Sequence, residues 1–335
     1  MLVLRLRSLG DTVLTTPALA LLRRARPDVR IVVAVESPFD AVLDGNPDVT
    51  SVLPIDRAAS PLGRLAALQL VRRQRPELCL NLHGGSTSAW LTALSGARRR
   101  AGFAHFRMDF AYNVKIPRAQ EILGRGTSDA VHTAEHLASA IFHLGAPASD
   151  IPRAVLAARP AKRQRPYAVV HVTAAYFTKQ WPVARFREIA EYLERSHGLE
   201  PVMVAGPGEE SIFDELPGLV CLSLDIRSLK SLLAGARLFV GNDSGPAHMA
   251  AAFGVPCVVV FGSSNSSAWR PWKTAHAVVE TPWDCKPCPG DRCYAFDEPR
   301  CILSVEASAV EEAIGELLSA AERAPLHNSV LSNDD

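Results

Sequence analysis

The sequence predicts an α/β protein with parallel sheets, and two observations support that prediction. Short apolar runs typical of buried strands alternate with amphipathic runs of helical periodicity along most of the chain, a pattern that favours strand–helix–strand units. The alternation is interrupted at 151–166, where three prolines and five basic residues predict an interdomain linker. With 335 residues, the chain is long enough for two domains. We therefore predict one domain over 1–155 and another over 166–325.

The first half begins with the apolar run Leu2-Val3-Leu4, which predicts a strand. A helical pattern follows from about Thr12 until Pro27 stops it, and the next strand is predicted over 30–35. The pattern then predicts a helix over 66–73, a strand over 78–82 and a helix over 86–94. Apolar strands that alternate with helices in this way indicate a parallel sheet covered on both faces.

The same pattern restarts after the linker. It predicts strands over 167–172, 200–205, 238–240 and 257–261, and helices over 183–197, 226–234, 247–253 and 305–322. Two Rossmann-like halves around a central cleft are the simplest architecture for such a sequence. The polar residues after Pro325 are expected to form a frayed tail.

The charges exclude one class of function and suggest a partner. A formal net charge of +1, from 36 Lys plus Arg and 35 Asp plus Glu, argues against a nucleic-acid binder. Residues 1–150 nevertheless carry 18 basic against 13 acidic residues, so the first half offers either a solvated face or a surface for an anionic partner.

Charges near the N-terminus speak against a signal peptide, and no apolar run is long enough to span a membrane, which predicts a cytoplasmic protein.

The first candidate site is the turn between the first strand and the first helix, Ser8-Leu9-Gly10-Asp11-Thr12. The carboxyl end of such a strand faces the ligand crevice of an open α/β sheet. Asp11 can cap the helix there or act as a general base in the cleft, flanked by Ser8, Gly10 and Thr12. The turn lacks the glycine fingerprints of dinucleotide and nucleoside triphosphate sites.

The second candidate site is the run Gly241-Asn242-Asp243-Ser244-Gly245-Pro246-Ala247-His248, between an apolar strand and a small-residue helix. Backbone amides at Ser244 and Gly245, the helix dipole and the serine hydroxyl make an anion site suited to a diphosphate. A well-capped helix with His248 on its first turn is the alternative. A second polar turn, at 261–265, follows the next strand, and two such turns side by side favour a ligand.

Two further loops follow strands of the second half. In the loop at 178–182, Lys179 can neutralise a phosphate or be an ordinary solvated lysine, and Trp181 can anchor the loop in the core. Glu209 and Glu210 can accept hydrogen bonds from a ribose or begin a capped helix. The chain has no Asp-x-Asp motif, which argues against a metal-bridged sugar-nucleotide site.

Four cysteines cluster with the spacing C-x2-C-x4-C-x7-C, at Cys285, Cys288, Cys293 and Cys301. Such a group in a cytosolic chain suggests a structural zinc site more than disulfides. Reduced thiols that shape a loop are the alternative, because the spacing is tighter than that of the paired C-x2-C knuckles in zinc ribbons.

Three of these motifs occur in order along the chain: Ser-Leu-Gly-Asp-x-x-x-x-Thr-Pro-Ala-Leu at 8–19, Lys-x-Trp-Pro at 179–182, and Gly-Asn-Asp-Ser-Gly-Pro-x-His-x-Ala-Ala at 241–251. With Phe-Gly-Ser-Ser-Asn at 261–265 and the cysteine loop, the chain resembles glycosyltransferase family nine, the ADP-heptose:lipopolysaccharide heptosyltransferases, from residue 1 to about residue 315. The resemblance implies the GT-B fold, with the acceptor mainly on the first domain and the nucleotide sugar mainly on the second.

The resemblance also implies an inverting, metal-independent transfer that uses no cofactor. Asp11 matches the family's catalytic aspartate, which takes the proton of the acceptor hydroxyl. Lys179 would then stabilise the leaving diphosphate, together with the amides at Ser244 and Gly245. The other donor-side residues that the resemblance assigns are Asp243, Pro246 and His248, with Glu209 and Glu210 sharing the ribose or adenine role.

The implied donor is ADP-heptose, and the implied acceptor is the anionic, lipid-linked inner core of lipopolysaccharide, either Kdo-lipid A or a heptosylated form. An arginine-rich first half suits such an acceptor and peripheral contact with the inner membrane face. The alternatives are a GT-B transferase for another nucleotide sugar or acceptor, and a member that binds a sugar nucleotide without transferring it.

Overall fold

The first half of the chain forms one six-stranded sheet in the computed structural model, which describes residues 1–56 and 61–323. Its elements are β1 Leu2–Leu4, α1 Leu9–Ala25, β2 Val32–Glu36, β3 Ser51–Ile55, α2 Pro61–Arg73, β4 Leu78–Asn81, α3 Ser86–Ala93, β5 Arg99–Phe103, β6 Val114–Ile116, α4 Ala119–Ile122 and α5 Thr133–His143. Short 3₁₀ helices lie at Phe39–Leu43 and Asp109–Ala111.

The second half forms another six-stranded sheet. Its elements are β7 Tyr167–His171, α6 Val183–His197, β8 Glu200–Ala205, β9 Val220–Ser223, α7 Ile226–Ala234, β10 Leu238–Asn242, α8 Gly245–Phe253, β11 Cys257–Phe261, α9 Ser266–Trp269, β12 His276–Glu280, α10 Arg300–Leu303 and α11 Ala307–Arg323. Short 3₁₀ helices lie at Phe177–Lys179 and Glu210–Glu215. The tail predicted after Pro325 lies outside the described residues.

Both sheets have the same strand order. It is β3-β2-β1-β4-β5-β6 in the first and β9-β8-β7-β10-β11-β12 in the second, and every neighbouring pair is parallel. This doubly wound order reverses direction between β1 and β4 and between β7 and β10, and ligands bind at the carboxyl ends of strands beside such a reversal. The α/β class and the GT-B arrangement expected from the sequence are confirmed.

Element boundaries follow the predictions closely where local chemistry is strong. Helix α1 begins at Leu9, three residues before the predicted start, because Ser8 is its N-cap. Asp11 then closes a capping box, since its Oδ2 accepts hydrogen bonds from the Ser8 N–H at 3.2 Å and the Ser8 Oγ at 2.9 Å. Strand β10 extends to Asn242, so the first two residues of the predicted second turn belong to the strand.

The segment predicted as a linker contains no helix or strand, but it is packed against both sheets. Residues Ile151, Ala154 and Leu156 are buried in the main apolar core. The Val155 N–H donates to Thr16 Oγ1 of α1 at 3.0 Å, and Trp272 Nε1, which lies beyond α9, donates to the Pro152 carbonyl at 2.9 Å. The segment therefore joins the halves as part of the core.

The two halves meet where α1 packs against α8. At this contact both helices carry glycine near their N-termini. A Cβ at Gly10 would lie 2.6 Å from His248 Cδ2, and a Cβ at Gly245 would lie 2.6 Å from Leu9 Cγ. Because no larger residue fits without displacing these neighbours, the two glycines let both helices begin beside the same cleft.

Two buried polar side chains also connect the halves. Lys230 of α7, only 3% exposed, donates from Nζ to the carbonyls of Ala41 at 3.1 Å, Val42 at 3.3 Å and Asp44 at 3.1 Å. His132 caps α5 by accepting from the Ala134 N–H through Nδ1 at 3.1 Å. Its Nε2 therefore carries the hydrogen and donates to the Arg270 carbonyl at 2.8 Å.

Within residues 1–56 and 61–323, no helix has the length and apolar character needed to cross a membrane.

We expect the Lys230→Met substitution to destabilise the protein. It leaves up to three carbonyl groups without their donor in a buried contact, which costs about 1–3 kcal/mol of unfolding free energy. Urea unfolding of the variant measures this loss. The exposed Lys162→Met is the matched control and should change the unfolding free energy by less than about 0.5 kcal/mol. Equal stability of the two variants would show that the Lys230 contacts contribute nothing.

Lowering the pH should reduce the free energy of unfolding, because the buried histidines must then take up protons. Burial is the main cause that lowers the pKa of His132 to about 4, whereas an unfolded histidine has a pKa near 6.5. The stability that depends on a neutral His132 is therefore complete above pH 6.5 and is lost as the pH falls towards 4. The same sign applies to His83, His136 and His171, whose pKa values are also lowered to about 4.

The variant His132→Asn keeps an N-cap acceptor but cannot titrate in this range. Urea unfolding at pH 7, 6 and 5 should give a profile that is shallower than the wild-type profile by up to ~1.4 kcal/mol per pH unit. Parallel profiles for the two proteins would mean that His132 does not contribute to acid sensitivity.

Candidate active site

A cleft of about 930 Å³ lies between the two sheets, at the carboxyl ends of β1, β7 and β10. Both halves of the chain contribute to its lining. From the residues predicted by the sequence it contains Ser8, Gly10, Asp11, Lys179, Glu209, Asp243, Ser244, Gly245, Pro246 and His248. The residues flanking the two topological reversals therefore face one another across a single cavity.

Two predicted site residues are not among those that line the cleft. Thr12 is buried inside the first turn of α1, where its hydroxyl donates to the Ser8 carbonyl at 2.8 Å. Glu210 is exposed and accepts hydrogen bonds from the Gly208 N–H at 2.9 Å and from the Ser223 hydroxyl at 2.7 Å. Of the two glutamates considered for the ribose, only Glu209 reaches the cleft.

The carboxylate of Asp11 is held by three donors on the first-half side of the cleft. Arg5 donates to its Oδ1 and also to the Leu82 carbonyl, while Ser8 donates twice to Oδ2. Burial lowers the pKa of Arg5, and the charge of Asp11 opposes that shift. The Asp11 side chain is 19% exposed, so it remains accessible from the cleft.

His83 lies beside this pair, at the end of β4. Burial and the positive charge of Arg5 lower its pKa to about 4, which makes the ring neutral near pH 7. Arg7 also lines the cleft, and its side chain is half exposed. The first-half wall thus combines one carboxylate with two guanidinium groups and a neutral imidazole.

On the opposite wall, Lys179 forms an ion pair with Asp243, with Nζ and Oδ2 2.8 Å apart. The loop that carries Lys179 is fixed by Trp181, which is 1% exposed and donates from Nε1 to the Val305 carbonyl at 2.8 Å. Asn242 fixes it further, because its Oδ1 accepts from the Trp181 N–H at 3.0 Å. Trp181 therefore anchors the loop in the core, as the sequence suggested.

Helix α8 points its N-terminus at this ion pair. Ser244 is its N-cap, and Pro246 lies in its first turn, where a missing N–H costs nothing. His248 in the same turn is buried, which lowers its pKa, and the charges of Asp243, Asp11 and Lys179 all act on it. An ammonium group and a helix N-terminus side by side provide a site for a phosphate group.

Glu209 closes the cleft near the end of β8. Its Oε2 accepts hydrogen bonds from Thr173 Oγ1 and from the Gly206 N–H, both at 2.8 Å. Thr173 in turn contacts His171, whose other ring nitrogen contacts Ser244.

The four clustered cysteines lie away from this cleft, around a separate cavity of about 30 Å³ that Thr178 and Ser263 also line. All four thiols are free, and burial raises the pKa of Cys301. No group of three or more His, Cys, Asp or Glu side chains in the described part of the chain is arranged to hold a metal ion.

Sequence reasoning missed several lining residues: Arg5, Arg7, His83, His171 and Thr173. A signal for two of them was present, because Arg5 and His171 interrupt or end otherwise apolar strand runs. A polar residue at the carboxyl end of a buried strand faces the ligand crevice. His83 and Thr173 each follow such a strand by two residues and lack a distinctive pattern.

Comparison with known proteins agrees with this architecture. The model of glycosyltransferase family 9 (heptosyltransferase) matches residues 64–295, more than half of the chain. Lipopolysaccharide heptosyltransferase 1 of Pseudomonas aeruginosa is 28% identical over 320 residues, which cover 87% of this chain and 86% of that protein. Lipopolysaccharide heptosyltransferase 3 of Escherichia coli is 26% identical over 297 residues, covering 78% and 83%.

Solved structures share the fold. The ADP-heptose lipopolysaccharide heptosyltransferase II of E. coli superposes with a TM-score of 0.77 at 18% identity, covering 96% of this chain and 99% of that one. The E. coli heptosyltransferase WaaC with ADP gives a TM-score of 0.71 at 20% identity, covering 94% and 99%. The chain therefore belongs to glycosyltransferase family 9 and is a glycosyltransferase.

Proposed function

We propose that this chain is an inverting heptosyltransferase, which moves a heptose from ADP-heptose to the lipid-linked inner core of lipopolysaccharide. The observation that carries the proposal is the single cleft in which Asp11 of the first half faces the Lys179–Asp243 pair and the N-terminus of α8. A base on one wall and a diphosphate site on the other are what a direct displacement needs. The similarity to lipopolysaccharide heptosyltransferases supports the choice of sugar.

In this proposal Asp11 is the general base. Its carboxylate takes the proton of an acceptor hydroxyl as that oxygen attacks the anomeric carbon of the donor. Attack from the first-half wall approaches the sugar on the face opposite the diphosphate, and inversion of the anomeric centre follows. Arg5 and Ser8 are positioning residues, because they fix both carboxylate oxygens within the cleft.

The leaving diphosphate gains negative charge in the transition state. Lys179 and the N-terminus of α8 already lie where this charge develops, so they stabilise it without reorganising. Asp243 holds the Lys179 ammonium in place. These protein groups supply the positive charge, and the proposed transfer is metal-independent for that reason.

Glu209 is the residue that we assign to the ribose or adenine of the donor. It lines the cleft on the nucleotide side, and its Oε2 is already committed to Thr173 and Gly206. The second carboxylate oxygen is the one that would accept from a ribose hydroxyl.

The acceptor is expected to bind against the first half. Arg5 and Arg7 lie in the cleft, and residues 1–150 carry an excess of basic side chains that suits an anionic saccharide. Trp90 of α3 and Phe110 expose 52% and 61% of their surface and contact each other edge to face, with ring centroids 5.8 Å apart. Exposed aromatic rings on the half that carries the basic excess favour peripheral contact with an anionic membrane, where a lipid-linked acceptor resides.

Asp11→Asn tests the catalytic assignment, because the amide keeps an oxygen for Arg5 but cannot act as a base. We expect transfer to slow by roughly 10²–10⁴-fold, while calorimetry shows nearly unchanged binding of ADP and ADP-heptose. Lys179→Met provides the contrast and should weaken nucleotide binding and transfer together. Near wild-type transfer by Asp11→Asn would leave Asp11 with its capping role alone.

The same titrations separate the alternative functions. Preference of the wild-type protein for UDP over ADP would overturn the donor but keep the GT-B architecture. Binding of ADP-heptose without transfer to any lipopolysaccharide inner-core acceptor would identify a non-catalytic member.

Membrane contact is tested by sedimentation with vesicles that contain anionic phospholipid. The double variant Trp90→Ala/Phe110→Ala should bind such vesicles roughly tenfold more weakly, because it loses the apolar surface that enters the interface. Tyr294→Ala, at an exposed aromatic of the second half, is the control and should bind like the wild type. Equal vesicle binding by all three proteins would count against this surface.

A further inference from the structure

Four polar side chains form a continuous chain behind the proposed donor site. Ser244 Oγ lies 3.2 Å from His171 Nδ1, and His171 Nε2 lies 3.4 Å from Thr173 Oγ1. Thr173 Oγ1 lies 2.8 Å from Glu209 Oε2. The two inner residues are buried, with His171 6% and Thr173 5% exposed, whereas Ser244 and Glu209 at the two ends are partly exposed.

The direction of these hydrogen bonds is fixed from the glutamate end. Thr173 donates its one hydroxyl hydrogen to the Glu209 carboxylate, which can only accept. Towards His171, Thr173 Oγ1 therefore has only lone pairs to offer. His171 Nε2 must carry the hydrogen and donate it to Thr173.

The other nitrogen of His171 then has no hydrogen. Burial lowers the pKa of His171 to about 4 and outweighs the opposing charge of Glu209, so the ring is neutral near pH 7. A neutral ring with its hydrogen on Nε2 has a bare Nδ1, which acts as an acceptor. Ser244 therefore donates its hydroxyl hydrogen to His171 Nδ1.

We propose that Ser244 presents only lone pairs to the cleft and therefore binds a hydroxyl of the transferred sugar, rather than an oxygen of the diphosphate, with His171 as the residue that sets this polarity. A phosphate oxygen is itself an acceptor and gains nothing from such a serine, whereas a sugar hydroxyl can donate to it. The inference rests on the proposed function, because it assumes a nucleotide-sugar donor. The diphosphate is left to Lys179 and the backbone at the start of α8.

The position of Ser244 favours contact with the transferred sugar over contact with the ribose of the nucleotide. Ser244 occupies the N-cap position of the helix whose N-terminus faces the Lys179–Asp243 pair, while Glu209, the proposed ribose partner, lies at the opposite end of the chain of side chains. In a nucleotide sugar the diphosphate separates the ribose from the transferred sugar. A group next to the diphosphate and remote from Glu209 therefore contacts the sugar.

Calorimetric binding without acceptor provides the test. Ser244→Ala should raise the Kd for ADP-heptose by roughly threefold to tenfold, as expected for one lost hydrogen bond, and leave the Kd for ADP unchanged. Ser244→Thr keeps the hydroxyl and should bind both ligands like the wild type. A Kd for ADP that rises as much as that for ADP-heptose would place Ser244 on the diphosphate or ribose and overturn the proposal.

Two substitutions test the role of His171. His171→Asn keeps an acceptor near the position of Nδ1 and should preserve the preference for ADP-heptose over ADP. His171→Leu frees the Ser244 hydroxyl to donate to the diphosphate, so the Kd for ADP should fall and the preference should shrink. Equal weakening of both ligands by His171→Leu, in a variant that melts like the wild type, would reduce His171 to a packing role.

Nuclear magnetic resonance tests the polarity without any ligand. Long-range ¹H–¹⁵N correlation spectra report which ring nitrogen carries the hydrogen, and His171→Asn identifies the His171 signals by their loss. The expected result is a neutral ring with its hydrogen on Nε2 at pH 7. A hydrogen on Nδ1 would overturn the proposed polarity, whereas failure to bind ADP-heptose with the expected ring state would count against the proposed function instead.

Discussion

The close approach of two helix N-termini is the constraint on which the rest of the site depends. Helices α1 and α8 belong to different sheets, and they meet through Gly10 and Gly245, where a Cβ would lie 2.6 Å from a neighbouring side-chain atom. Helix N-termini carry partial positive charge, and here two of them converge on one cleft. The glycines thus bring Asp11 and Ser244, from opposite halves of the sequence, to the same cavity.

Each carboxylate near these N-termini has its own cation. Arg5 pairs with Asp11, and Lys179 pairs with Asp243. Partly buried ion pairs add little net stability, because desolvation offsets most of their attraction. Their effect is to fix positions: Arg5 is tied to the Leu82 carbonyl, and the loop of Lys179 is tied down by Trp181. A charge that is already in place needs no reorganisation when a reaction develops opposite charge beside it.

The sequence was sufficient for the doubly wound architecture, since the strands at the centre of each sheet are apolar runs. It was insufficient for the edge strands β3, β6, β9 and β12 and for β5, because these strands are short or carry polar residues and lack a clear period. Spacing also located the two loops that carry Asp11 and Ser244, because each directly follows a strand. It did not show which way a side chain faces: Thr12 turns into α1, and Glu210 turns away from the cleft. The hydrogen-bonded network that contains His171 became apparent only through its contacts.

The packed connection between the sheets limits how freely the two halves can be exchanged with those of relatives. Ile151, Ala154 and Leu156 lie in the apolar cluster that contains residues of both sheets, and the Val155 N–H is hydrogen-bonded to Thr16 of α1. A chimera that joins this first half to another nucleotide-binding half would have to match those apolar positions and the glycine facing α1. Changing substrate specificity by exchanging one half therefore depends on how well the two halves pack against each other, and it requires substitutions in both halves at once.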